Sequence, residues 1–180
     1  MYMSLKTAKF RPAPSQAMKH RTGVAWAQAM RESGALCSAI LRVAHPHLYA
    51  AGREALIRAS KVPAVDRALQ TWPSIFHVVQ VISNRQTPFH RDTSGQATWM
   101  ELLISFGSYR RAFLVLRNLG FQVEYGPGTA GVVCSYLVHH GVAEVEPDRI
   151  CYAWFMSDAL HTNHGVNAVP WMTRAYYDCI

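Results

Sequence analysis

His90 and Asp92 stand two residues apart in the stretch Asn84-Arg85-Gln86-Thr87-Pro88-Phe89-His90-Arg91-Asp92-Thr93-Ser94-Gly95. On an extended strand, residues i and i+2 point to one face. This spacing therefore predicts an imidazole and a carboxylate aimed at one spot, an arrangement that suits a divalent first-row metal. A further imidazole comes from Val138-His139-His140-Gly141-Val142. Neighbours on a strand face opposite ways, so only one of His139 and His140 can join the pair, and spacing leaves both open. Two histidines and one carboxylate form the facial ligand set of non-haem Fe(II) sites, which keeps metal positions free for a cosubstrate and dioxygen.

Arg149 follows His140 by nine positions. A guanidinium grips a carboxylate through two parallel hydrogen bonds and stays charged when buried. Glu146 and Asp148 offer it an ordinary surface pairing instead, but the apolar run from Ile150 to Phe155 favours a buried role. A lone His-x-Asp is common by chance; its position among β-rich segments gives it weight.

The elements that must position these groups fall into two textures. Residues 23–72 are rich in Ala, Leu, Ile and Arg at helical spacing. The pieces are Val24–Arg31, Ala35–Val43, His47–Ser60 and Ala64–Trp72, with Pro46 and Pro63 where helices begin. His45 and His47 read as a helix boundary rather than as ligands. From residue 75 the chain turns β-branched: Ile75–Ile82, Thr98–Ser105, Ala112–Leu116, Phe121–Tyr125, Gly131–Val138 and Arg149–Met156 read as strands, with a turn at Gly126-Pro127-Gly128-Thr129. Short strands at this spacing predict an all-β sandwich or a jelly roll. Along the last strand, Arg149, Cys151, Ala153 and Phe155 share one face, and Ile150, Tyr152, Trp154 and Met156 the other. Both faces are largely apolar, so the helices are expected to cover the outside, with Arg149 at the mouth of the barrel interior.

The fold class expected is α+β: a double-stranded β-helix (jelly-roll, cupin-like) core with N-terminal helices on one outer face. Residues 1–22 read as a basic, weakly structured lead-in, and 23–180 as one domain: helical cover 23–72, core 75–162 and a C-terminal segment 163–180. For the tail from residue 157, which holds Asp158, His161, His164, Trp171, Tyr176 and Tyr177, a strand and a helix or lid are expected. The length of 180 residues fits one domain, and half of them are hydrophobic, enough for a sizeable core. A formal charge of +7 and a pI near 9.5 favour an anionic partner, nucleic acid above all. Cys37, Cys134, Cys151 and Cys179 are scattered without a CxxC pair, which argues against structural zinc and a disulfide framework. The start lacks a signal-peptide pattern, and no run approaches the roughly 18 apolar residues of a membrane helix. An intracellular monomer away from membranes is the expectation.

The segment Asn84-Arg85-x-Thr87-Pro88-x-His90-Arg91-Asp92-x-Ser94 resembles the metal-binding segment of fungal TET/JBP-like dioxygenases. The likeness runs on through Trp99, Leu102, Gly107-Ser108-Tyr109, Leu119-Gly120 and Tyr125-Gly126-Pro127-Gly128-Thr129. It closes on His140-Gly141-Val142, Asp148-Arg149-Ile150-Cys151-Tyr152-Ala153 and Met156. It spans roughly residues 75–162 as an ordered series, far more specific than any one motif. The resemblance implies an Fe(II)- and 2-oxoglutarate-dependent oxygenase acting on methyl groups of DNA bases. It implies His90, Asp92 and His140 as iron ligands, His140 because the family's distal His directly precedes Gly-Val. It implies Arg149 on the far carboxylate of 2-oxoglutarate, Arg85 near the cosubstrate, and supporting places for Asn84 and Ser94.

The expected reaction is oxidation of 5-methylcytosine to 5-hydroxymethylcytosine and beyond, with nuclear residence. A relative acting on N6-methyladenine or RNA, a non-catalytic nucleic-acid-binding module and a cupin-like metalloenzyme without 2-oxoglutarate are the alternatives. Base flipping is expected, with Phe89, His77, Tyr109 and His161 as pocket candidates and Arg91, Arg110, Arg111 and Lys19 for phosphates.

Overall fold

An apolar helical stripe and strands with two apolar faces must cover one another, and here they do. The computed structural model describes residues 2–4, 7–8, 11–143 and 146–174. Helices α1 (Gln16–Lys19), α2 (Arg21–Ala29), α3 (Arg31–Ala44), α4 (Pro46–Ala59) and α5 (Pro63–Leu69) lead, and α6 (Asp158–Asn163) closes the sequence of elements. Along α4, Leu48, Gly52, Ala55 and Ala59 are buried at helical spacing. Pro46 and Pro63 occupy the first turns of α4 and α5, where the missing N–H has no intrahelical partner to lose. His45 caps α4: its Nδ1 accepts from the Leu48 amide at 3.2 Å, which leaves Nε2 to donate to the Thr98 carbonyl at 2.9 Å.

The strands are β1 (Tyr2–Ser4), β2 (Thr7–Ala8), β3 (Arg11–Pro12), β4 (Val78–Ser83), β5 (Thr87–His90), β6 (Glu101–Gly107), β7 (Phe113–Leu116), β8 (Phe121–Glu124), β9 (Ala130–Val133), β10 (His140–Val142) and β11 (Arg149–Phe155). They form an antiparallel major sheet in the order β1-β4-β11-β6-β9 and a minor sheet β5-β10-β7-β8, with β2 and β3 paired apart. The two sheets face each other as the jelly-roll core, and the helices cover the outer face of the major sheet.

Strand parity does the sorting. Trp154, on the outer face of β11, is fully buried, with ring centroids 6.3, 6.1 and 6.5 Å from Trp26, Trp72 and Phe76. Val79, Leu102 and Ile104 join it under the helices. Cys151, Ala153 and Leu103 face inward and pack with Leu114, Leu116 and Val142 of the minor sheet.

Three expectations need correction. Residues 2–4 of the supposed lead-in pair with β4, and residues 16–19 are helical, because an edge strand and a short amphipathic turn satisfy backbone groups a free arm would leave to water. Residues 75–77 precede β4 instead of opening it. Beyond α6 no strand forms among the described residues, and Tyr176 and Tyr177 lie outside them. No described helix is long and apolar enough to cross a membrane.

His77 is fully buried; its Nδ1 accepts from the Ser157 amide at 3.1 Å, so its Nε2 is the donor to the Gly52 carbonyl at 3.3 Å. His161 lies against it, and also against Trp99 at 4.7 Å between ring centroids. Burial pulls His77 down to about 3 and His161 down to about 4. Both depressions mean that the unfolded chain binds more protons below about pH 6.5. Their stabilising contribution is whole above that pH and is lost as pH falls toward 4. Thermal melting between pH 7.5 and 5 is expected to show this loss, up to about 1.4 kcal/mol per pH unit per histidine. His77→Gln is expected to flatten the slope.

Candidate active site

The site begins with a register. His140 of β10 lies directly opposite His90 of β5, so both rings share the inner face, their centroids 4.5 Å apart. A register irregularity follows between His140 and Val142, and Gly141 makes room for it: a Cβ there would sit 2.8 Å from the Thr87 carbonyl oxygen. Asp92 arrives by another route than the one expected. β5 ends at His90, so the i and i+2 parity of a strand does not apply. The chain turns instead, and the Asp92 amide donates to the Ser135 carbonyl at 3.0 Å. The carboxylate then lies 3.5 Å from His90 Nε2 and 3.7 Å from His140 Nε2. One ligand atom from each of the three residues lies within 4.8 Å of the others.

Both imidazoles are oriented in the same way. His90 Nδ1 donates to the Pro88 carbonyl at 2.8 Å, and His140 Nδ1 to the Val138 carbonyl at 3.0 Å. In its neutral form each ring therefore turns an unprotonated Nε2 toward Asp92, the tautomer a metal ligand needs. Burial lowers the His140 pKa, and so does His90. His139 points the other way: its ring meets Phe89 at 6.0 Å, and its amide donates to Asn118 Oδ1.

Arg149 is 1% exposed. It is not at the mouth; it is at an enclosed end, its guanidinium carbon 5.1 Å from the Tyr125 ring centre and 6.0 Å from that of Tyr109. The Tyr109 hydroxyl donates to the Tyr125 carbonyl at 2.6 Å and locks that wall. The nearby acids are engaged elsewhere: Asp148 accepts from the Ser108 amide and Glu146 from the Arg110 amide. Among the described residues no carboxylate pairs with Arg149, and its buried Nε has no partner. A buried guanidinium without a carboxylate partner is costly, a cost that an anion bound at this end would offset.

The three ligand candidates and Arg149 line one cavity of about 410 Å³, with Leu103 and Leu114 among its apolar walls. Two histidines and a carboxylate suit a divalent first-row metal, and a guanidinium with an unpartnered Nε and no carboxylate beside it among the described residues suits a carboxylate-bearing cosubstrate. Ser94 is exposed at the rim of this cavity. Asn84, at φ +49°, is a support instead: its Oδ1 accepts from the Arg149 amide and its own amide donates to the Arg149 carbonyl, both at 2.8 Å. Arg85 is exposed and does not line the cavity.

None of Phe89, His77, Tyr109 and His161 lines it either. The two histidines are in the layer beneath the helices, Tyr109 backs Arg149, and Phe89 turns outward because it neighbours the inward His90 on a strand. Arg91, Arg110, Arg111 and Lys19 are on the surface. One cavity group went unnoticed in the sequence. Glu101 opens β6 on the same face as Leu103, and burial, with the Asp92 charge, pushes its carboxyl up to about 8, partly offset by the Ser135 hydroxyl. The parity of that strand carried the signal: a lone acid in phase with inward Leu103.

Gly107 pairs with Arg149 at φ +127°, and a Cβ there would lie 1.7 Å from the Asp148 carbonyl oxygen. Gly107→Ala is expected to lower the melting temperature by roughly 10 °C, from backbone strain plus the clash. It should also weaken retention of the anion at Arg149, read by ligand-induced thermal shift.

Residues 5–158 match the family model Tet_JBP, described as the oxygenase domain of the 2OGFeDO superfamily. No curated protein matches the chain. Among solved structures, NgTET1 in complex with 5mC DNA is similar at a TM-score of 0.62 and 12% identity, over 99% of this chain and 67% of that one. At that identity the likeness speaks for the fold.

Proposed function

We propose, from the premise that this chain belongs to the TET/JBP oxygenase family of the 2-oxoglutarate- and Fe(II)-dependent superfamily, that it oxidises the methyl group of 5-methylcytosine in DNA. Family membership makes it an Fe(II)/2-oxoglutarate-dependent dioxygenase; the base, the product and the residue roles are the proposal. The observation that carries it is the buried, carboxylate-free Arg149 in the same cavity as the His90, Asp92 and His140 cluster.

In this reading His90, Asp92 and His140 hold Fe(II), and Arg149 holds the far carboxylate of 2-oxoglutarate. When bound, the metal and cosubstrate supply the dioxygen chemistry that replaces a methyl C–H by C–OH. The protein's own groups do the placing. The Pro88 and Val138 carbonyls keep both Nε2 atoms free for the metal. Tyr109 and Tyr125 close the anion end, and Leu103, Leu114, Val142 and Ala153 keep water from the cavity wall. Ser94 sits at the rim where the substrate strand would pass.

The substrate part is supported by the fold shared with NgTET1, a protein solved with 5mC DNA. A methyl group inside a duplex cannot reach a recessed cavity, so the base must be flipped out. Arg91, Arg110, Arg111 and Lys19, in a chain of net charge +7, are the groups to meet phosphates. A single dioxygenase domain, acting as a monomer on nuclear DNA, belongs to the same proposal.

The test is incubation with Fe(II), 2-oxoglutarate and a duplex carrying 5-methylcytosine. Succinate and 5-hydroxymethylcytosine should appear in equal amounts. Succinate formed only with N6-methyladenine or with methylated RNA would overturn the choice of base.

A further inference from the structure

We propose that Glu101 is a specificity-determining residue of this enzyme: its carboxyl accepts a hydrogen bond from the exocyclic amino group of the flipped base. The inference rests on the function proposed above and adds a residue to it.

The argument is one of placement. Inward-facing positions of the major sheet form rows across the cavity. Arg149 pairs with Gly107 at one end of β6, and Glu101 is six residues away at the other end of that strand. At the rise of an extended strand, the two backbone positions are about 20 Å apart. The cavity is thus basic at its enclosed end and acidic at the opposite one, where Glu101 and Asp158 both line it. A dicarboxylate held by Arg149 and reaching the His90, Asp92 and His140 cluster takes the basic end. The acidic end is left for the second substrate.

Glu101 is held beside that cluster by construction. Its strand partner is Val133, and two residues on, the Ser135 carbonyl takes the amide of Asp92. One short segment therefore sets the positions of both carboxyl groups. Asp158 has a partner of its own, since its Oδ1 accepts from Gln96 Nε2 at 2.8 Å. Glu101 is the acid that remains to meet a ligand, with the Ser135 hydroxyl and the Asp92 carboxylate as its polar neighbours.

A carboxyl oxygen accepts hydrogen bonds whether the group is ionised or neutral. The complementary feature on a nucleobase is an exocyclic amino group, and a Glu or Asp accepting from the amino group of cytosine is a recurrent pairing. A site built around such a bond also rejects bases that lack the donor, because the buried acceptor is then left without a partner.

The experiment pairs a substrate change with a protein change. Oligonucleotides carry at one site either 5-methylcytosine or 5-methylpyrimidin-2-one, which keeps the ring and methyl and lacks the amino group. The wild-type protein, Glu101→Leu and Glu101→Ala are compared for kcat/KM on both, and for the affinity of metal-free protein for both. Glu101→Gln, which keeps a carbonyl acceptor, is the rescue.

Loss of the amino group should cost the wild-type protein roughly tenfold in both readouts. It should cost Glu101→Leu and Glu101→Ala less than about threefold, with the preference returning in Glu101→Gln. Equal penalties in the wild-type and Glu101→Leu or Glu101→Ala proteins overturn the inference and leave the proposed reaction standing. A wild-type protein inert on 5-methylcytosine, yet making succinate with another methylated base, overturns the proposed substrate instead.

Discussion

Asp92→Ala abolishes turnover and metal uptake together: that is the largest effect expected from a single side chain here. The Asp92 carboxylate supplies the only negative charge among the three ligand candidates, and it lies within 3.7 Å of both imidazole Nε2 atoms. Partners outside the ligand set are commonly worth 10- to 100-fold in metal affinity or activity. Removal of a ligand itself should therefore cost more than about a thousandfold. Anaerobic titration with Co(II), followed by its visible absorption, would show a saturable site in the wild-type protein and none in Asp92→Ala. The metal-free variant should melt no lower than wild type. The carboxylate's contacts are with His90 and His140, and its side chain is 41% exposed, so little packing is lost. Wild-type affinity for the metal in Asp92→Ala would remove this residue from the ligand set.

The second large effect is at Arg149. A bidentate guanidinium–carboxylate contact comprises two charge-assisted hydrogen bonds, each worth about 1.5–3 kcal/mol. Arg149→Met is expected to raise the 2-oxoglutarate requirement by roughly 100- to 1000-fold. Lysine should not restore it, because an ammonium cannot reproduce the planar fork. The effect on stability has the opposite sign. Without the cosubstrate, Arg149 is a buried cation with aromatic rings on two sides and no carboxylate, a state that replacement by an apolar side chain relieves. Arg149→Met should thus melt at or above the wild-type temperature without ligand. The wild-type protein should gain about 2.7 kcal/mol at a cosubstrate concentration of 100 Kd, and the variant nothing. An unchanged 2-oxoglutarate requirement would exclude Arg149 from the site.

The role proposed for Arg149 would put stability and activity in opposition at one position. The pairing of Asn84 with the backbone of Arg149 shows how the fold sustains it. Two hydrogen bonds of 2.8 Å hold the first residue of β11 in place, so the guanidinium is positioned by main chain before any ligand arrives. Gly107, on the other side of the same residue, serves that end of β11 by having no side chain.

The residue types alone determined much of this protein. A His-x-Asp pair, a distal His-Gly and an Arg nine positions on are local strings, and metal and carboxylate chemistry can be read from them directly. The parity of residues 149–156 was equally legible, because side chains alternate on any strand; it foretold Trp154 under the helices and Cys151 and Ala153 inside. Tertiary structure decided what parity could not reach. Asp92 joins His90 through a turn held by Ser135, a contact 43 residues away in the chain that no periodicity encodes. His140 faces inward because β10 pairs with β5 in one register, and a slip by one residue would have turned His139 in. Arg149 is deep because Tyr109 and Tyr125 arrive from two other segments to cover it. Residue chemistry is carried by the chain itself, whereas depth, register and enclosure arise only when distant segments meet.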